Sequence, residues 1–463
     1  METKRLWVPT MNKAKSVRRF GAVFVVSLVA LAASAQMPSQ TPRRLVVCLD
    51  GTWNSTFSEN VRVDGSKVLR PTNTLKTCRA VLPHADREQL TYYENGVGAL
   101  AEYPGTANRI LRFTDRLLGG AYGAGFEGNV ESAVHFIQLN YEEGDEVFVF
   151  GFSRGAATAR AVTRFLEWNG GVLAKDDAYY LPRFFREYIM SKGGEGARDE
   201  LRNEINKARA NERNEASRRP LREFRPVTIK YLGVWDTVMS LGSRFRAKGA
   251  STSAPGKSFH AGTSPAIGVV HARQALAVDE ARFDFRPEIW IEKKDGQKVE
   301  QRWFAGVHSN VGGGYRNDGL ANIALQWILA GAVEEGLQMD GDYLSFYGTS
   351  PKAVLYDSSS GLYRFLEAIR LRRGKGVRPI HGINADLDRS VLERMMADAS
   401  ALTRDQVEGA KNTKAGPYRP GNVLQYLADQ PDLDAYLREH NLTAAELPSD
   451  VRDRIAQLKR NKE

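Results

Sequence analysis

Residues 144–161 read GDEVFVFGFSRGAATARA, and they carry the strongest structural signal in the chain. The apolar run from Glu146 to Phe150 is typical of a buried strand, and the alanine-rich residues 156–162 are typical of a helix. Between them, residues 151–155 match the pattern G-x-S-x-G, in which a serine occupies a strained turn and glycines two residues away on each side leave room for the backbone. We therefore predict a strand-to-helix turn that presents Ser153 at the carboxyl edge of a sheet.

The alternation of short apolar runs with helical periodicity continues on both sides of this stretch. It predicts an α/β fold, an α/β-hydrolase-like and mostly parallel sheet flanked by helices, because parallel strands need crossover connections. The strands are predicted at 45–49, 91–93, 146–150, 227–234 and 302–305, and the helices at 74–81, 129–141, 267–278 and 320–333.

The domain boundaries follow from changes in composition along the chain. Residues 44–340 are predicted to form the catalytic domain, with a charge-dense helical insertion at about 170–226. Whether that insertion is a lid or a plain surface helix stays open. Residues 341–463 are predicted to form a C-terminal extension of helices and loops packed on the core.

The first 35 residues have the composition of a signal peptide. A basic region with Lys13, Lys15, Arg18 and Arg19 precedes the apolar run from Phe20 to Ala33, and Ala33-Ser34-Ala35 supplies the small-x-small pattern that signal peptidase recognises. We expect cleavage after Ala35 and a periplasmic or secreted protein. The alternative is an uncleaved anchor, but the run is shorter than the roughly 20 apolar residues of a spanning helix.

Charge and cysteine content narrow the range of partners. The formal net charge of +10 invites a nucleic-acid interpretation, but residues 1–35 hold six basic and one acidic side chain, so cleavage halves it. We therefore expect no nucleic-acid partner, although weak contact with an anionic membrane surface remains compatible. Cys48 and Cys78 could form a disulfide or remain thiols, and neither they nor the histidines have the spacing of a metal site.

A serine nucleophile needs a base, and the base needs a carboxylate to orient it. In this class of fold the chain order is serine, acid, histidine. Asp236 directly follows a predicted strand, and His308 lies in a glycine-rich loop after another, so they are the predicted acid and base. His271 in the predicted helix 267–278 is the alternative base. Asp279 and Asp318 are alternative acids, and Asp236 could instead only cap a turn.

Backbone N–H groups must face the oxygen that becomes negative in the transition state. The residue after the serine, Arg154, is one predicted donor. The loop after the first strand supplies the other, and Gly51 and Thr52 are its best placed residues. This chemistry requires no cofactor and no metal.

Several motifs in a fixed order carry a family resemblance. They read LDGTWN at 49–54, YYENGVG at 92–98, GDEVFVFGFSRGAATARA at 144–161, GVWDTV at 233–238, HARQALAVDE at 271–280 and WFAGVHSNVGGGY at 303–315. Together they resemble an uncharacterised α/β-hydrolase domain family that includes phospholipase effectors of type VI secretion. The likeness extends from Arg44 to Asp340 and implies a triad of Ser153, Asp236 and His308. Similar chains often read H-x-D-V-G-G-G-Y, whereas this chain has Asn310 at the acidic position.

The expected function is that of a serine esterase or lipase, and the resemblance implies a phospholipase of the A type acting on a lipid. One alternative is a non-catalytic binding module on the same fold. A phosphatase is a weaker alternative, because residues 46–52 resemble a D-x-D-G-T motif but carry Cys48 where that chemistry needs an aspartate. Acyl length, headgroup, regiospecificity and oligomeric state are open.

Overall fold

A parallel sheet of seven strands organises the part of the chain that the structure describes. The structure is a computed structural model, and it describes residues 41–52, 54, 59–61, 67–96, 121–213, 218–239, 262–282, 285–358, 377–403 and 416–461. The predicted signal peptide therefore lies outside the described residues. In chain order the strands of the sheet are β1 (Arg44–Leu49), β4 (Gln89–Glu94), β5 (Glu146–Phe152), β6 (Ile229–Trp235), β7 (Val269–Ala277), β8 (Lys298–Phe304) and β9 (Ala385–Leu387).

The spatial order of the strands is β4-β1-β5-β6-β7-β8-β9, and all neighbours are parallel. The sequence prediction of an α/β fold is therefore confirmed. A separate two-stranded antiparallel sheet pairs β2 (Glu59–Val61) with β3 (Lys67–Leu69).

Helices connect the parallel strands and cover both faces of the sheet. In chain order they are α1 (Asn73–Ala80), α2 (Ala121–Asn140), α3 (Arg154–Asn169), α4 (Leu181–Ser191), α5 (Ala197–Ala210), α6 (His308–Gly312), α7 (Gly319–Glu334), α8 (Gly341–Ser345), α9 (Arg389–Met396), α10 (Gly421–Ala428), α11 (Leu433–Glu439) and α12 (Ser449–Arg460). Short 3₁₀ helices lie at Lys175–Tyr180, Ala399–Ala401 and Ala444–Glu446. None of the helices in the described ranges is long and apolar enough to cross a membrane.

Two apolar cores lie on opposite faces of the sheet because side chains alternate along each strand. On β1, Val47 packs in one core with residues of α2 and α3, whereas Val46 packs in the other with residues of α7. Both residues are fully buried. Burying one such side chain contributes about 1.5–3 kcal/mol to the free energy of folding. The two cores contain many of them, so together they stabilise the sheet that positions the loops at its edge.

The prediction of a helix at 267–278 was wrong, because this segment contains the central strand β7. Its helix-favouring residues Ala, Arg, Gln and Leu suggested a helix, but tertiary contacts override such propensities. β7 lies between β6 and β8, and its polar side chains are satisfied by neighbours. Gln274, for example, accepts a hydrogen bond from Thr237 and donates one to Gln301.

Residues beyond 340 contribute directly to the sheet. Strand β9 pairs with β8 at the edge, and the helices that follow it share a third core with Trp303 of β8. Cys48 and Cys78 are free thiols in the structure, Cys48 buried and Cys78 partly buried.

Candidate active site

Ser153 occupies the sharp turn between β5 and α3. Its φ of 59° and ψ of −120° lie outside the regions that ordinary residues favour, so the surrounding structure must impose them. A Cβ at Gly151 would lie 2.4 Å from the carbonyl oxygen of Gly155, and one at Gly155 would lie 2.1 Å from that of Leu49. The glycines are therefore required by direct steric contact, as the G-x-S-x-G pattern predicts.

Asp236 follows the last residue of β6 and is completely buried. Its φ of 42° turns the chain at the carboxyl edge of the sheet. The backbone N–H of Ser153 donates to the carbonyl of Trp235 at 3.0 Å, which ties the serine turn to the end of β6. The parallel register of β5 and β6 thus brings the predicted nucleophile and the predicted acid to the same edge.

His308 begins α6, just past the end of β8. Its backbone N–H donates to the Glu280 carboxylate at 3.2 Å. The imidazole contacts the ring of Phe152 at a centroid distance of 4.7 Å and the ring of Phe285, edge to face, at 5.0 Å. These contacts fix both the start of the loop and the plane of the ring.

The structure brings the side chains of Ser153, His308 and Asp236 into one hydrogen-bonded chain. Ser153 Oγ lies 2.7 Å from His308 Nε2, and His308 Nδ1 lies 2.5 Å from Asp236 Oδ2. Only 7% of Ser153 and 4% of His308 is exposed, so the chain of bonds is shielded from bulk water. This arrangement can move a proton from the serine hydroxyl to the imidazole.

Burial and nearby charges set the protonation of this chain. Burial lowers the pKa of His308 below its ordinary value of 6.5, although the Asp236 carboxylate opposes that shift. Burial alone would raise the pKa of Asp236, but the Arg378 guanidinium and His308 outweigh it and hold that pKa well below its usual range. The result is a neutral base beside an ionised acid at neutral pH, as general-base catalysis requires.

The alternative residues have other partners. His271 lies near the start of β7, at the opposite end of that strand from the site, and bonds Glu300 and Glu335. Asp279 accepts hydrogen bonds from the backbone N–H of Gly306 and the hydroxyl of Tyr418. Asp318 pairs with the buried ammonium of Lys76 at 2.5 Å. These contacts are structural, and Asp279 among them supports the loop that holds His308.

The predicted donors to the oxyanion are the backbone N–H groups of Arg154, Gly51 and Thr52. Arg154 is the first residue of α3 and directly follows Ser153, which is the place of the predicted donor. Gly51 lies against the serine, because a Cβ on it would be 3.1 Å from the Cβ of Ser153. Its N–H, however, donates to the Asp50 carboxylate at 2.6 Å, so the expectation that Gly51 is a donor fails in this conformation. Arg154 and Thr52 stay the predicted donors.

Arg378 is a member of the site that the sequence did not reveal. Its guanidinium donates from Nη1 to Asp236 Oδ1 at 2.7 Å and from Nη2 to Asp236 Oδ2 at 3.1 Å. Residues 370–378 contain several arginines and a lysine. Such a run is usually a solvated face, so nothing in the pattern singles out this buried arginine.

Asn310 supports the loop of the site without touching the serine or the histidine ring. Its amide donates to the carbonyl of Val354 at 3.0 Å, and its oxygen accepts from the N–H of Tyr356 at 3.2 Å. An aspartate at this position would lose the donated bond. The asparagine therefore suits the segment that this chain places against it.

Comparison with known proteins identifies a family that this chain resembles. A family model described as "T6SS, Phospholipase effector Tle1-like, catalytic domain" matches residues 43–331. Uncharacterized protein YEL023C of Saccharomyces cerevisiae (strain ATCC 204508 / S288c) is 27% identical over 141 residues, which are 30% of this chain and 19% of the yeast protein.

Two solved structures are also similar, each at 15% sequence identity. An uncharacterized protein from Pseudomonas aeruginosa has a TM-score of 0.37, with 92% of this chain and 63% of that chain covered. The Tle1 effector bound to the VgrG spike from the Type 6 secretion system has a TM-score of 0.38, with 68% of this chain and 77% of that chain covered. This chain thus spans less than two thirds of the yeast protein and of the Pseudomonas chain. Since the family model covers more than half of the present sequence, the chain belongs to the Tle1-like family of type VI secretion phospholipase effectors, represented by its catalytic domain.

Proposed function

We propose that this chain is a serine esterase that hydrolyses acyl esters of lipids, in the manner of a phospholipase A. The observation that carries the proposal is the hydrogen-bonded chain Ser153–His308–Asp236, with 2.7 Å and 2.5 Å between the bonded atoms. Membership of a family of phospholipase effectors supports a glycerophospholipid as the substrate. The neutral imidazole of His308 can accept the serine proton, and the buried Asp236 carboxylate can orient the imidazole and stabilise its cation.

In the first half of the reaction, His308 Nε2 takes the proton of Ser153 as Oγ bonds to the ester carbon. The N–H groups of Arg154 and Thr52 are proposed to stabilise the negative oxygen that forms. The imidazolium then gives its proton to the departing glycerol oxygen as the ester bond breaks. Asp236 stays ionised and stabilises the imidazolium throughout.

In the second half, water attacks the acyl-serine and gives one proton to His308 Nε2. The bond between the acyl carbon and Oγ breaks, and the same proton returns to Ser153. The products are a free fatty acid and the deacylated lipid. His308 accepts the proton and then donates it in each of these transfers.

We also propose that the protein acts outside the cytoplasm, in the periplasm or after secretion. The basic segment, apolar run and Ala33-Ser34-Ala35 site support cleavage after Ala35. Sequencing the amino terminus of protein recovered from a periplasmic fraction tests this, and a mature chain beginning at Gln36 is expected. A chain that keeps its first 35 residues would contradict it.

The chemical test is labelling with a fluorophosphonate, which reacts with activated serines. The wild-type protein should be labelled, and Ser153→Ala should not. Ser309→Ala is the matched control, because this serine lies next to His308 but is assigned no part in the reaction, and it should be labelled like wild type. An unlabelled wild-type protein that is folded would refute the serine mechanism and favour a non-catalytic binding module.

The substrate test compares short p-nitrophenyl esters with vesicles of dioleoyl phosphatidylethanolamine and phosphatidylglycerol. Release of oleate from the vesicles, lost in Ser153→Ala, is expected. Fast cleavage of short esters without oleate release would keep the serine mechanism and reject the phospholipid substrate. Vesicles with distinct acyl chains at the two glycerol positions then give the regiospecificity.

A further inference from the structure

We propose that Arg378 is a positioning residue of this site, which holds the Asp236 carboxylate in the orientation that bonds His308. The inference rests on the proposed function and assigns a fourth residue to the same machinery. Arg378 lies 142 positions after the aspartate, in the part of the chain that follows the family match.

The Asp236 carboxylate is held on both oxygens by the described residues. Oδ1 accepts from the N–H of Ala277 at 3.0 Å and from Arg378 Nη1 at 2.7 Å. Oδ2 accepts from Arg378 Nη2 at 3.1 Å and faces His308 Nδ1 at 2.5 Å. A paired contact of this kind fixes the plane of a carboxylate as well as its position, which a single donor cannot do. The orientation of Oδ2 toward the imidazole thus depends on the guanidinium.

Arg378 is itself held in place. Its guanidinium also donates to the carbonyls of Ala277, at 2.9 Å, and of Phe285. Its own carbonyl accepts from the amide of Asn422 on α10, which also donates to the carbonyl of Val278 at 3.0 Å. The arginine is therefore anchored at the end of β7 through both its side chain and its backbone.

The charge of Arg378 acts on the imidazole through Asp236. The charged groups that influence His308 are Asp236 and Glu280, which favour the imidazolium, and Arg282, which disfavours it. Arg378 neutralises part of the Asp236 charge. Removing the Arg378 guanidinium should let the Asp236 carboxylate stabilise the imidazolium more strongly, and so raise the pKa of His308. A residue that only supports the fold would not shift the titration of the base.

A cavity of about 290 Å³ borders Arg378 and gives the test a second readout. Its wall includes Trp303 and Arg282, together with the exposed residues Val377 and Arg286, so it communicates with the surface. If Arg378 is shortened to alanine, a guanidinium ion has a path to the vacated position. Restored activity with added guanidinium would show that the reaction needs a guanidinium group at the position of Arg378.

The experiment uses the mature protein and measures kcat, KM and the pH dependence of kcat/KM for an ester substrate. In Arg378→Met, kcat should fall about tenfold to a hundredfold, as small misplacements of catalytic groups do, and the acid limb should move to higher pH. Arg378→Lys keeps the charge but not the paired contact, so it should lose kcat with a smaller shift of the limb. Millimolar guanidinium chloride, compared with equal sodium chloride, should restore part of the rate of Arg378→Ala.

The matched control is Arg394→Met. Arg394 is an equally buried arginine on α9 whose guanidinium donates to the carbonyls of Pro351 and Ala353, and it should lose stability but keep kcat per folded molecule. Wild-type kcat and an unmoved acid limb in Arg378→Met would overturn the proposal, as would an equal loss in the control. If Arg378→Met does not fold, wild-type kcat in Arg378→Lys would overturn it. Failure of the serine mechanism is seen separately, as an unlabelled wild-type protein.

Discussion

The ring of Phe152 packs against the imidazole of His308, with 4.7 Å between their centroids. Phe152 is the residue before Ser153, so the strand that presents the proposed nucleophile also supports the proposed base. The same ring lies against Gly312, where a Cβ would come within 1.9 Å of a ring carbon. The spacing between β5 and the histidine loop therefore leaves no room for a side chain at position 312.

Gly312→Ala is expected to displace the Phe152 ring and, with it, the imidazole. A misplacement of about 1 Å can cost on the order of 100-fold in rate, so kcat should fall by about that factor. Gly128→Ala is the matched control, because a Cβ there meets nothing within 4 Å and alanine should stabilise α2 by about 0.5–1 kcal/mol. Equal rates in the two variants, measured by steady-state ester hydrolysis, would contradict the packing argument.

Asp236→Asn should lower kcat by roughly 10⁴-fold while leaving KM nearly unchanged, because an amide no longer fixes the tautomer of His308 or stabilises its cation. Thermal unfolding and circular dichroism of the variant show whether the fold is kept. Activity within tenfold of wild type would remove Asp236 from the proposed triad.

The acid limb of the pH profile of kcat/KM should have its midpoint below pH 6.5. The base must be neutral to accept the serine proton, and burial lowers the pKa of His308, so protonation sets in at a lower pH than for a free imidazole. Rates measured from pH 4.5 to 9 on a short ester test this. An acid limb centred above pH 7 is the opposite result and would show that Asp236 outweighs burial.

Asp50→Asn should change how stability depends on pH. Burial raises the pKa of Asp50 from 3.8 to about 6, against hydrogen bonds from Thr72, Tyr93 and Gly51. The folded protein then holds a proton that the unfolded chain has lost, so wild-type stability falls as pH rises from about 4 to about 6.

Relative to wild type, the asparagine variant should gain about 2.4 kcal/mol between pH 4 and pH 7, which is most of the value of the full shift at about 1.4 kcal/mol per pKa unit. Urea unfolding of both proteins at pH 4, 5.5 and 7 measures the difference. A constant difference across the three values would mean that Asp50 titrates normally.

Asn310→Asp should destabilise the fold by about 1–3 kcal/mol, because it removes the bond to the Val354 carbonyl and buries a carboxylate beside that oxygen. The loss should appear as a lower midpoint of thermal unfolding. The isosteric variant Asn310→Leu cannot make either bond and provides the comparison. A midpoint higher than wild type in Asn310→Asp would show that an acidic residue also suits this loop.

Local sequence rules predicted the parts of the molecule where backbone geometry and residue type are tightly linked. The serine turn is one, because only glycine fits at 151 and 155, and the carboxyl ends of β6 and β8 are others. Chain order and strand ends favour Asp236 and His308 as acid and base, although they leave Asp279, Asp318 and His271 as alternatives. The sequence also indicates the approximate extent of helices α1 and α7, whereas α2 begins eight residues before the predicted start.

The same rules failed where contacts distant in the chain decide the outcome. Strand β7 has residues that favour a helix, and only its place between β6 and β8 makes it a strand. The N–H of Gly51 is engaged by the carboxylate beside it, which depends on Thr72 and Tyr93 holding that carboxylate. Arg378 has no local signal, since its partner is 142 positions away.

The distance along the chain between Asp236 and Arg378 also affects the order in which the site forms during folding. Strands β1 to β8, the serine turn and the histidine loop all precede Arg378 in the chain, so a partly folded chain can bring the three side chains of the proposed triad together while Asp236 still lacks the guanidinium. Contacts across such long separations form late, because closing a long loop costs conformational entropy. Full hydrolytic activity is therefore expected to appear late in folding, after the sheet has formed and Arg378 has reached Asp236.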